Sequence, residues 1–285
     1  MIIFAKLGLM TRILDGLELA DYIKERQLKQ VRALRQSWKV IPKLVIIQMG
    51  DHDVINKYAK LKSAYGKDIL VDVDIVNVNG GDYKTILNDL NKDENVHGII
   101  IQLPLSDKSL TDEVLSAVNP EKDVDGLGAN PLFTPATAMA IDWLLNGYNV
   151  ELSGKKIAII GKGRLVGAPL ASLWIRAGYD VIICDSKTTD LAAALKSIDV
   201  IVSATGKPGL IKSNMIAQNA VVVDAGTASE NGKIVGDISD DVRLRDDLTI
   251  TPEKGGVGPL TVAALFDNVI TVARKIADEK GQQNI

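Results

Sequence analysis

Tyr58 and Lys62 stand four residues apart in the stretch 54–65, whose apolar spacing predicts a helix that stops near Gly66. The two side chains therefore share one helical face. A lysine beside a tyrosine hydroxyl in a pocket can have a lowered pKa and act as a general acid or base. Lys57 and Lys60 occupy the same stretch, and lysine runs usually form solvated surfaces. On spacing alone, a solvated lysine surface is the favoured interpretation.

Two further polar positions could hold a ligand. Gln102 ends an apolar stretch that predicts a buried strand, and strand ends gather active-site groups in α/β proteins. A buried amide must also be hydrogen-bonded, so a purely structural glutamine is an equal alternative. Asp123 and Asp125 lie in a glycine-bearing loop that could bind an amine-rich heterocycle or a cation. From the residues alone, a simple turn is the favoured interpretation of that loop.

A glycine cluster, Gly161, Gly163 and Gly167, follows the apolar strand 156–160 and precedes the predicted helix 168–177. Glycine permits a tight turn and close approach of the backbone to a pyrophosphate, and a helix N-terminus supplies free N–H groups. The spacing GxGxxxG differs from GxGxxG, so a turn that needs glycine only for its geometry is the alternative. The strand before and the helix after favour nucleotide binding.

The end of the next strand bears on the choice of nucleotide. Asp185 follows the predicted strand 180–184, where an acid commonly accepts the ribose hydroxyls of NAD. A carboxylate there repels a 2′-phosphate, whereas the cations Lys162, Arg164 and Lys187 could bind one. A solvated loop carboxylate is the alternative for Asp185. The residues therefore leave NAD and NADP both open.

These positions lie on alternating helical and strand-like segments, which predict an α/β fold with parallel sheets. The Pro-, Gly- and Asp-rich loop 119–135 predicts an inter-domain crossing, and the βα run from 155 onward is typical of a Rossmann-like dinucleotide-binding domain. We predict one α/β catalytic domain from 1–137 plus 262–285, to which the C-terminal helix returns. The Rossmann-like domain then covers 138–261.

Composition excludes several classes of protein. The chain has 285 residues, 24% of them charged, and a net charge of -3, which does not suit a nucleic-acid binder or a disordered chain. A single cysteine, Cys184, excludes an internal disulfide and fits a reducing compartment, and with His52 and His97 as the only histidines a zinc site is not expected. The apolar start 1–10 predicts an edge strand or an extension before Met10, not a membrane span. We expect a cytoplasmic protein without membrane or metal partners.

Taken together, the motifs resemble the bifunctional methylenetetrahydrofolate dehydrogenase/cyclohydrolase family. The match runs in order from about residue 13 to 275, and chance agreement of all its parts is very improbable. The matching segments are 98–105, 119–126, 166–169, 204–209 and 255–261.

The resemblance implies a role for each catalytic-domain residue. Lys62 is implied as the catalytic acid or base, Gln102 as its partner, and Asp125 as the anchor of the pterin ring. Tyr58 is implied to pack against the folate and orient it. We therefore predict that the side chains at 62, 102 and 125 converge in one crevice facing the glycine turn. The implied substrate-binding residues are Tyr58, Asp125, Gly256 and Pro259, the last two from a glycine-rich run that by itself could equally be a hinge.

The resemblance also implies the reaction and its cofactor. The implied chemistry is oxidation of 5,10-methylenetetrahydrofolate to 5,10-methenyltetrahydrofolate with NAD(P)⁺, then hydrolysis to 10-formyltetrahydrofolate, in a homodimer. NADP is the expected cofactor, and Asp185 keeps NAD as an alternative. The implied cofactor-binding residues are Gly161, Lys162, Gly163, Arg164, Val166, Gly167, Asp185, Ser186, Lys187 and Gly206.

Departures from the family pattern motivate one alternative, a folate-binding relative with one or both activities weakened. Ile55 replaces a usual serine, the loop 127–134 is shorter, and Phe133 replaces a cysteine. Lys162-Gly163 stands where Arg-Ser is usual, and 185–187 where His-Ser-Arg is common, which weakens the phosphate clamp. An unrelated two-domain dehydrogenase does not predict the Gln-Leu-Pro and Asp-Val-Asp-Gly segments.

Overall fold

The computed structural model describes residues 11–50, 53–78, 82–230 and 233–282. Helices and strands alternate along this part of the chain, as the sequence predicts. The helices are α1 (Gly16–Ala33), α2 (Asp53–Asp68), α3 (Tyr83–Lys92), α4 (Thr111–Ser116), α5 (Ala136–Gly147), α6 (Gly167–Arg176), α7 (Leu191–Leu195), α8 (Asp240–Arg243) and α9 (Val257–Gln282). The strands are β1 (Arg12–Ile13), β2 (Lys43–Gln48), β3 (Asp72–Asn77), β4 (Gly98–Gln102), β5 (Lys156–Ile160), β6 (Asp180–Cys184), β7 (Val200–Ser203), β8 (Val221–Asp224), β9 (Ala228–Glu230), β10 (Lys233–Val235) and β11 (Thr249–Ile250).

The described residues form two compact units. One, here called the three-stranded unit, comprises 20–139 and 261–282, and the other, the six-stranded unit, comprises 11–19 and 140–260. This division differs from the predicted one at residues 11–19, because β1 pairs in parallel with β11 and so joins the larger sheet. A strand of two residues carries no hydrophobic pattern, so this pairing cannot be predicted from the sequence.

In the three-stranded unit the parallel strands lie in the order β3-β2-β4. The apolar strands β2 and β4 are buried, and their register places Gln48 opposite Gln102 at the carboxyl ends. The C-terminal helix α9 belongs to this unit from residue 261, as predicted. It stacks Phe266 on Tyr65 with ring centroids 5.1 Å apart. The sheet edge that carries Gln102 is thus held by a packed apolar core.

Helix α2 does not stop at Gly66, as the sequence predicted, but continues to Asp68. A Cβ on Gly66 would overlap Val73 of β3 and press on Phe266 of α9. Glycine is therefore needed here for close packing of helix against strand and not as a helix end. Sequence pattern cannot separate these two uses of glycine.

In the six-stranded unit the parallel strands lie in the order β1-β11-β8-β7-β5-β6. The first strand of its βα run, β5, has β6 on one side and β7 on the other. The chain direction across the sheet therefore reverses at β5, and ligands of open α/β sheets bind at the carboxyl ends of strands at such a point. An antiparallel hairpin of β9 and β10 and the short helices α7 and α8 were not predicted.

Over the described ranges, no helix is both long and apolar enough to cross a membrane. The same residues contain no group of three or more His, Cys, Asp or Glu side chains placed to hold a metal ion. Residues 1–10, for which an edge strand or an extension was predicted, lie outside the described residues.

Candidate functional site

Lys62 and Gln102 are brought together by α2 and β4. The Lys62 amine donates a hydrogen bond of 2.9 Å to Oε1 of Gln102. The amide nitrogen of Gln102 donates to the carbonyl of Leu103 at 3.3 Å, which aims the amide oxygen at the lysine. Gln102 is 9% exposed, so the strand end fixes one acceptor beside the amine. The sequence leaves open whether the Gln102 amide binds a ligand or has a structural role. In the structure its oxygen accepts a hydrogen bond from the Lys62 amine.

Burial and Asp125 act on the Lys62 amine in opposite directions. Burial disfavours the charged amine and lowers the pKa of Lys62, while the carboxylate of Asp125 opposes this effect. Burial likewise raises the pKa of Asp125, and the Lys62 amine works against that rise. The amine, the amide and the carboxylate therefore lie together in the three-stranded unit, and the net effect of these surroundings lowers the pKa of Lys62.

The two acids of the 119–126 loop have different surroundings. The buried carboxylate of Asp123 accepts hydrogen bonds from the backbone N–H groups of Gly126, at 3.1 Å, and Gly128, at 2.7 Å. Within the described residues no hydrogen bond reaches the carboxylate of Asp125. Asp123 therefore shapes the loop, and Asp125 keeps its acceptors for a ligand.

Asn268 of α9 also holds this loop and was missed by sequence reasoning. Its buried amide donates to the carbonyl of Val124 at 2.8 Å, directly before Asp125. A contact across 144 positions leaves no spacing signal in the sequence. The position of Asp125 thus depends on the return of the C-terminal helix.

Tyr58 lies one helical turn before Lys62 on α2. Its side chain is half-buried, and burial raises the pKa of its hydroxyl, so the ring stays neutral and can stack on or donate to a ligand. Lys57 and Lys60 are exposed, as a solvated face predicts. Among the lysines of α2, Lys62 alone is half-buried, and its catalytic role stays a prediction.

The shortened loop 127–134 folds back on Gly126. Gly126 has φ of 67°, and a Cβ there would overlap the carbonyl oxygen of Phe133. Phe133 itself is half-buried. The short loop is thus closed onto the Asp125 segment. The side chain of Ile55 lies outside the described residues.

The three glycines of the turn after β5 have different surroundings. A Cβ on Gly167 would overlap the carbonyl oxygen of Gly161, and Gly161 has φ of 99° and a Cβ position 2.5 Å from the carbonyl oxygen of Ala204. Gly163 has nothing within 4 Å of its Cβ position. Gly161 and Gly167 therefore serve the packing of the turn, while Gly163 borders open space. Val166, at the N-cap position of α6, makes no side-chain capping hydrogen bond.

Asp185 follows β6 beside the glycine turn, because Cys184 pairs with Ile160. Its carboxylate accepts the backbone N–H of Lys187 at 2.8 Å, and its own N–H donates to Oγ1 of Thr188 at 3.0 Å. It is an exposed turn residue at the strand end where a ribose-binding acid is expected. The remaining predicted cofactor residues that are exposed at these strand ends are Lys162, Arg164, Ser186, Lys187 and Gly206.

Gly256 and Pro259 lie where α9 begins, in the six-stranded unit. A Cβ on Gly16 would overlap the carbonyl oxygen of the buried Gly256, so this glycine run packs against the start of α1. Pro259 is half-buried in the first turn of α9, where a proline costs no helical hydrogen bond. Packing explains Gly256, and its contact with folate stays a prediction.

Comparison with known proteins agrees with this architecture. Residues 14–125 match the family model of the tetrahydrofolate dehydrogenase/cyclohydrolase catalytic domain, and residues 135–277 match that family's NAD(P)-binding domain. The bifunctional protein FolD of Staphylococcus epidermidis is 35% identical over 278 residues, which cover 92% of this chain and 96% of the relative.

Two solved structures show the same fold. The bifunctional FolD enzyme of Campylobacter jejuni is 33% identical, with a TM-score of 0.87, and the match covers 93% of this chain and 99% of that one. The FolD of Trypanosoma brucei, solved with NADP and an inhibitor, is 30% identical, with a TM-score of 0.87, covering 93% and 98%. Sequence, domain order and fold agree, so the chain belongs to the bifunctional tetrahydrofolate dehydrogenase/cyclohydrolase family.

Proposed function

We propose that Lys62, Gln102 and Asp125 form the folate site of this enzyme, which oxidises 5,10-methylenetetrahydrofolate and hydrolyses the 5,10-methenyl product to 10-formyltetrahydrofolate. The observation that carries the assignment is the 2.9 Å hydrogen bond from the half-buried Lys62 amine to Gln102, with the Asp125 carboxylate acting on the same amine. The alternative of a weakened relative is not favoured, because all three groups are present and placed together.

Asp125 and Tyr58 bind and orient the substrate in this proposal. The pterin ring carries an amino group and ring N–H groups, which match a carboxylate that has no protein donor of its own. Tyr58 packs its neutral ring against the folate. Orientation matters for the oxidation, because hydride transfer to the bound NAD(P)⁺ requires the one-carbon bridge and the acceptor carbon in contact.

In this proposal Lys62 accepts and then donates a proton during the hydrolysis. Water adds to the methenyl carbon while the neutral amine takes one of its protons. Lys62 then returns that proton to the ring nitrogen as the carbon–nitrogen bond breaks, and the hydroxyl proton leaves as the formyl carbonyl forms. Gln102 accepts one amine hydrogen and so holds the nitrogen in place between the two transfers.

The acid limb of the pH profile should report this amine. Hydrolysis needs neutral Lys62, so we expect cyclohydrolase kcat to fall as the pH drops through the lowered pKa of Lys62. The Asp125 carboxylate raises that pKa, so Asp125→Asn should move the acid limb to lower pH, along with weakened folate binding. Initial rates at saturating methenyltetrahydrofolate across pH measure the shift. A limb that stays fixed or moves to higher pH would contradict the coupling.

We propose that the glycine turn and the ends of β6 and β7 bind the dinucleotide, with NADP as the cofactor and NAD as the alternative. The exposed cations Lys162, Arg164 and Lys187 favour a 2′-phosphate, and Asp185 opposes it. Because these charges act in opposite directions, we expect the enzyme to use both cofactors, with a modest preference for NADP. We further propose a cytoplasmic homodimer, which agrees with the family and with the single buried cysteine, Cys184.

Spectrophotometric oxidation of methylenetetrahydrofolate with each dinucleotide tests the proposed function. We expect turnover with NADP⁺, and we expect Asp185→Ser to raise the ratio of kcat/KM for NADP⁺ over that for NAD⁺ about tenfold, because a like charge is removed. Ser186→Ala is the matched control, which alters the same turn without a charge change. Absence of oxidation with both dinucleotides would refute the function, while an unchanged ratio would refute only the role of Asp185.

A further inference from the structure

Asp237 is a buried acid that the sequence did not single out. Its side chain is 0% exposed and follows the hairpin of β9 and β10. The carboxylate accepts from Oγ of Ser203 at 2.7 Å, from the N–H of Thr205 at 2.7 Å and from the N–H of Lys207 at 2.8 Å. Ser203 is the last residue of β7, and Thr205 and Lys207 lie in the segment that follows it. One carboxylate therefore fixes the path of this segment, here called the β7 loop (204–207).

The β7 loop lies beside the glycine turn. Its first residue, Ala204, donates its N–H to the carbonyl of Ile160 at 2.8 Å, and its carbonyl oxygen lies 2.5 Å from where a Cβ of Gly161 would stand. Since β5 and β7 are the neighbours at which the sheet order reverses, the β7 loop forms a wall of the expected dinucleotide site. Gly206, at its tip, has φ of 66° and nothing within 4 Å of its Cβ position.

Asp237 is itself held by a second buried acid, Asp224, at the end of β8. The carboxylate of Asp224 accepts the backbone N–H groups of Asp237 at 3.0 Å and Ile238 at 3.2 Å, and pairs with Arg243 at 3.1 Å. A Cβ on Gly226 would overlap the carboxylate of Asp237, and one on Gly236 would overlap that of Asp224. Gly226 and Gly236 therefore leave room for the two carboxylates. The position of Asp237 depends on both acids and both glycines.

We propose that Asp237 is a positioning residue for the dinucleotide, acting through its hydrogen bonds to the end of β7 and to the β7 loop. It touches neither folate nor the reacting carbon. The inference rests on the proposed assignment of the dinucleotide site to the glycine turn and the β7 loop. Its consequence is selective: loss of Asp237 weakens cofactor binding and leaves the hydrolysis, whose groups all lie in the three-stranded unit, unchanged.

The test uses Asp237→Asn in the full chain. Asparagine has the same shape but only one accepting oxygen, so it cannot accept both from Ser203 and Thr205 and from Lys207, and in either orientation one side of the loop loses its acceptor. We expect the KM for NADP⁺ and the Kd for NADPH, measured by fluorescence titration, to rise at least tenfold. Dehydrogenase kcat at saturating cofactor should stay within about threefold, and cyclohydrolase kcat/KM should be unchanged. Asp240→Asn, an exposed acid three residues later, is the matched control.

Ser203→Ala tests the same idea with a smaller perturbation, should Asp237→Asn fold poorly. It removes one donor and leaves the two backbone bonds, so we expect a rise of about threefold in the Kd for NADPH. A Kd within 1.5-fold of wild type in a folded Ser203→Ala protein and within twofold in a folded Asp237→Asn protein would overturn the proposal. An equal loss of both activities in Asp237→Asn would also overturn it, in favour of a general structural role. Failure of wild type to oxidise methylenetetrahydrofolate would refute the proposed function instead, while the NADPH titration would still decide the role of Asp237.

Discussion

Lys62→Met should abolish cyclohydrolase activity and spare much of the dehydrogenase activity. In the proposed mechanism the amine carries the protons of the hydrolysis, and loss of a general acid or base costs about 10²- to 10⁴-fold. Hydride transfer moves no proton through Lys62, so we expect methylenetetrahydrofolate oxidation to remain within about tenfold of wild type. Hydrolysis of methenyltetrahydrofolate, followed by its absorbance, and dinucleotide reduction measure the two activities separately.

Methionine is a suitable replacement because it has nearly the length of lysine and carries no charge to bury. Lys60→Met is the matched control, since Lys60 lies on the same helix and is exposed. We expect that variant to keep both activities. A cyclohydrolase kcat of Lys62→Met within about tenfold of wild type would remove Lys62 from the mechanism.

Gly167→Ala should remove the dehydrogenase activity and leave the cyclohydrolase activity. A Cβ at this position overlaps the carbonyl oxygen of Gly161, so either the turn or the start of α6 must move. We expect the KM for the dinucleotide to rise more than tenfold and the free energy of unfolding to fall by about 1–3 kcal/mol, as for other overpacked sites. Steady-state kinetics with NADP⁺ and thermal unfolding measure the two effects.

Gly163→Ala separates packing from ligand contact in the same turn. Nothing lies within 4 Å of the Cβ position of Gly163, so this variant should unfold at the wild-type temperature. A raised KM in Gly163→Ala would then report a methyl group in the space of the pyrophosphate. Wild-type kinetics and stability in Gly167→Ala would show that the overlap is relieved without consequence.

The sequence predicted elements well where one side-chain pattern determines them. The apolar strands β5 and β6 and the helix α6 were predicted within about one residue, because a buried strand or an amphipathic helix must repeat its pattern at every position. It failed where one residue has two uses. The pattern predicts that the helix ends at Gly66, but glycine is needed there because the backbone packs closely against Val73 and Phe266. The pairing of β1 was also missed, since two exposed residues carry no pattern.

The candidate site divides in the same way. Tyr58, Lys62, Gln102 and Asp125 were named from motifs, but their chemistry depended on burial, which separates Lys62 from Lys57 and Lys60. The different roles of Asp123 and Asp125 could not be predicted from the sequence, because both acids lie two residues apart in one loop. It follows from which carboxylate the loop's own N–H groups already occupy.

The sequence by itself determined the α/β class, the family and the residue types available for the reaction, because these are fixed by local pattern and motif order. The tertiary structure decided which of those residues meet, through the hydrogen bond of Lys62 to Gln102 and the support that Asn268 and Asp237 give to distant loops. Such contacts join positions tens to more than a hundred residues apart. Their energy comes from burial and hydrogen-bond geometry, which exist only once the chain has folded.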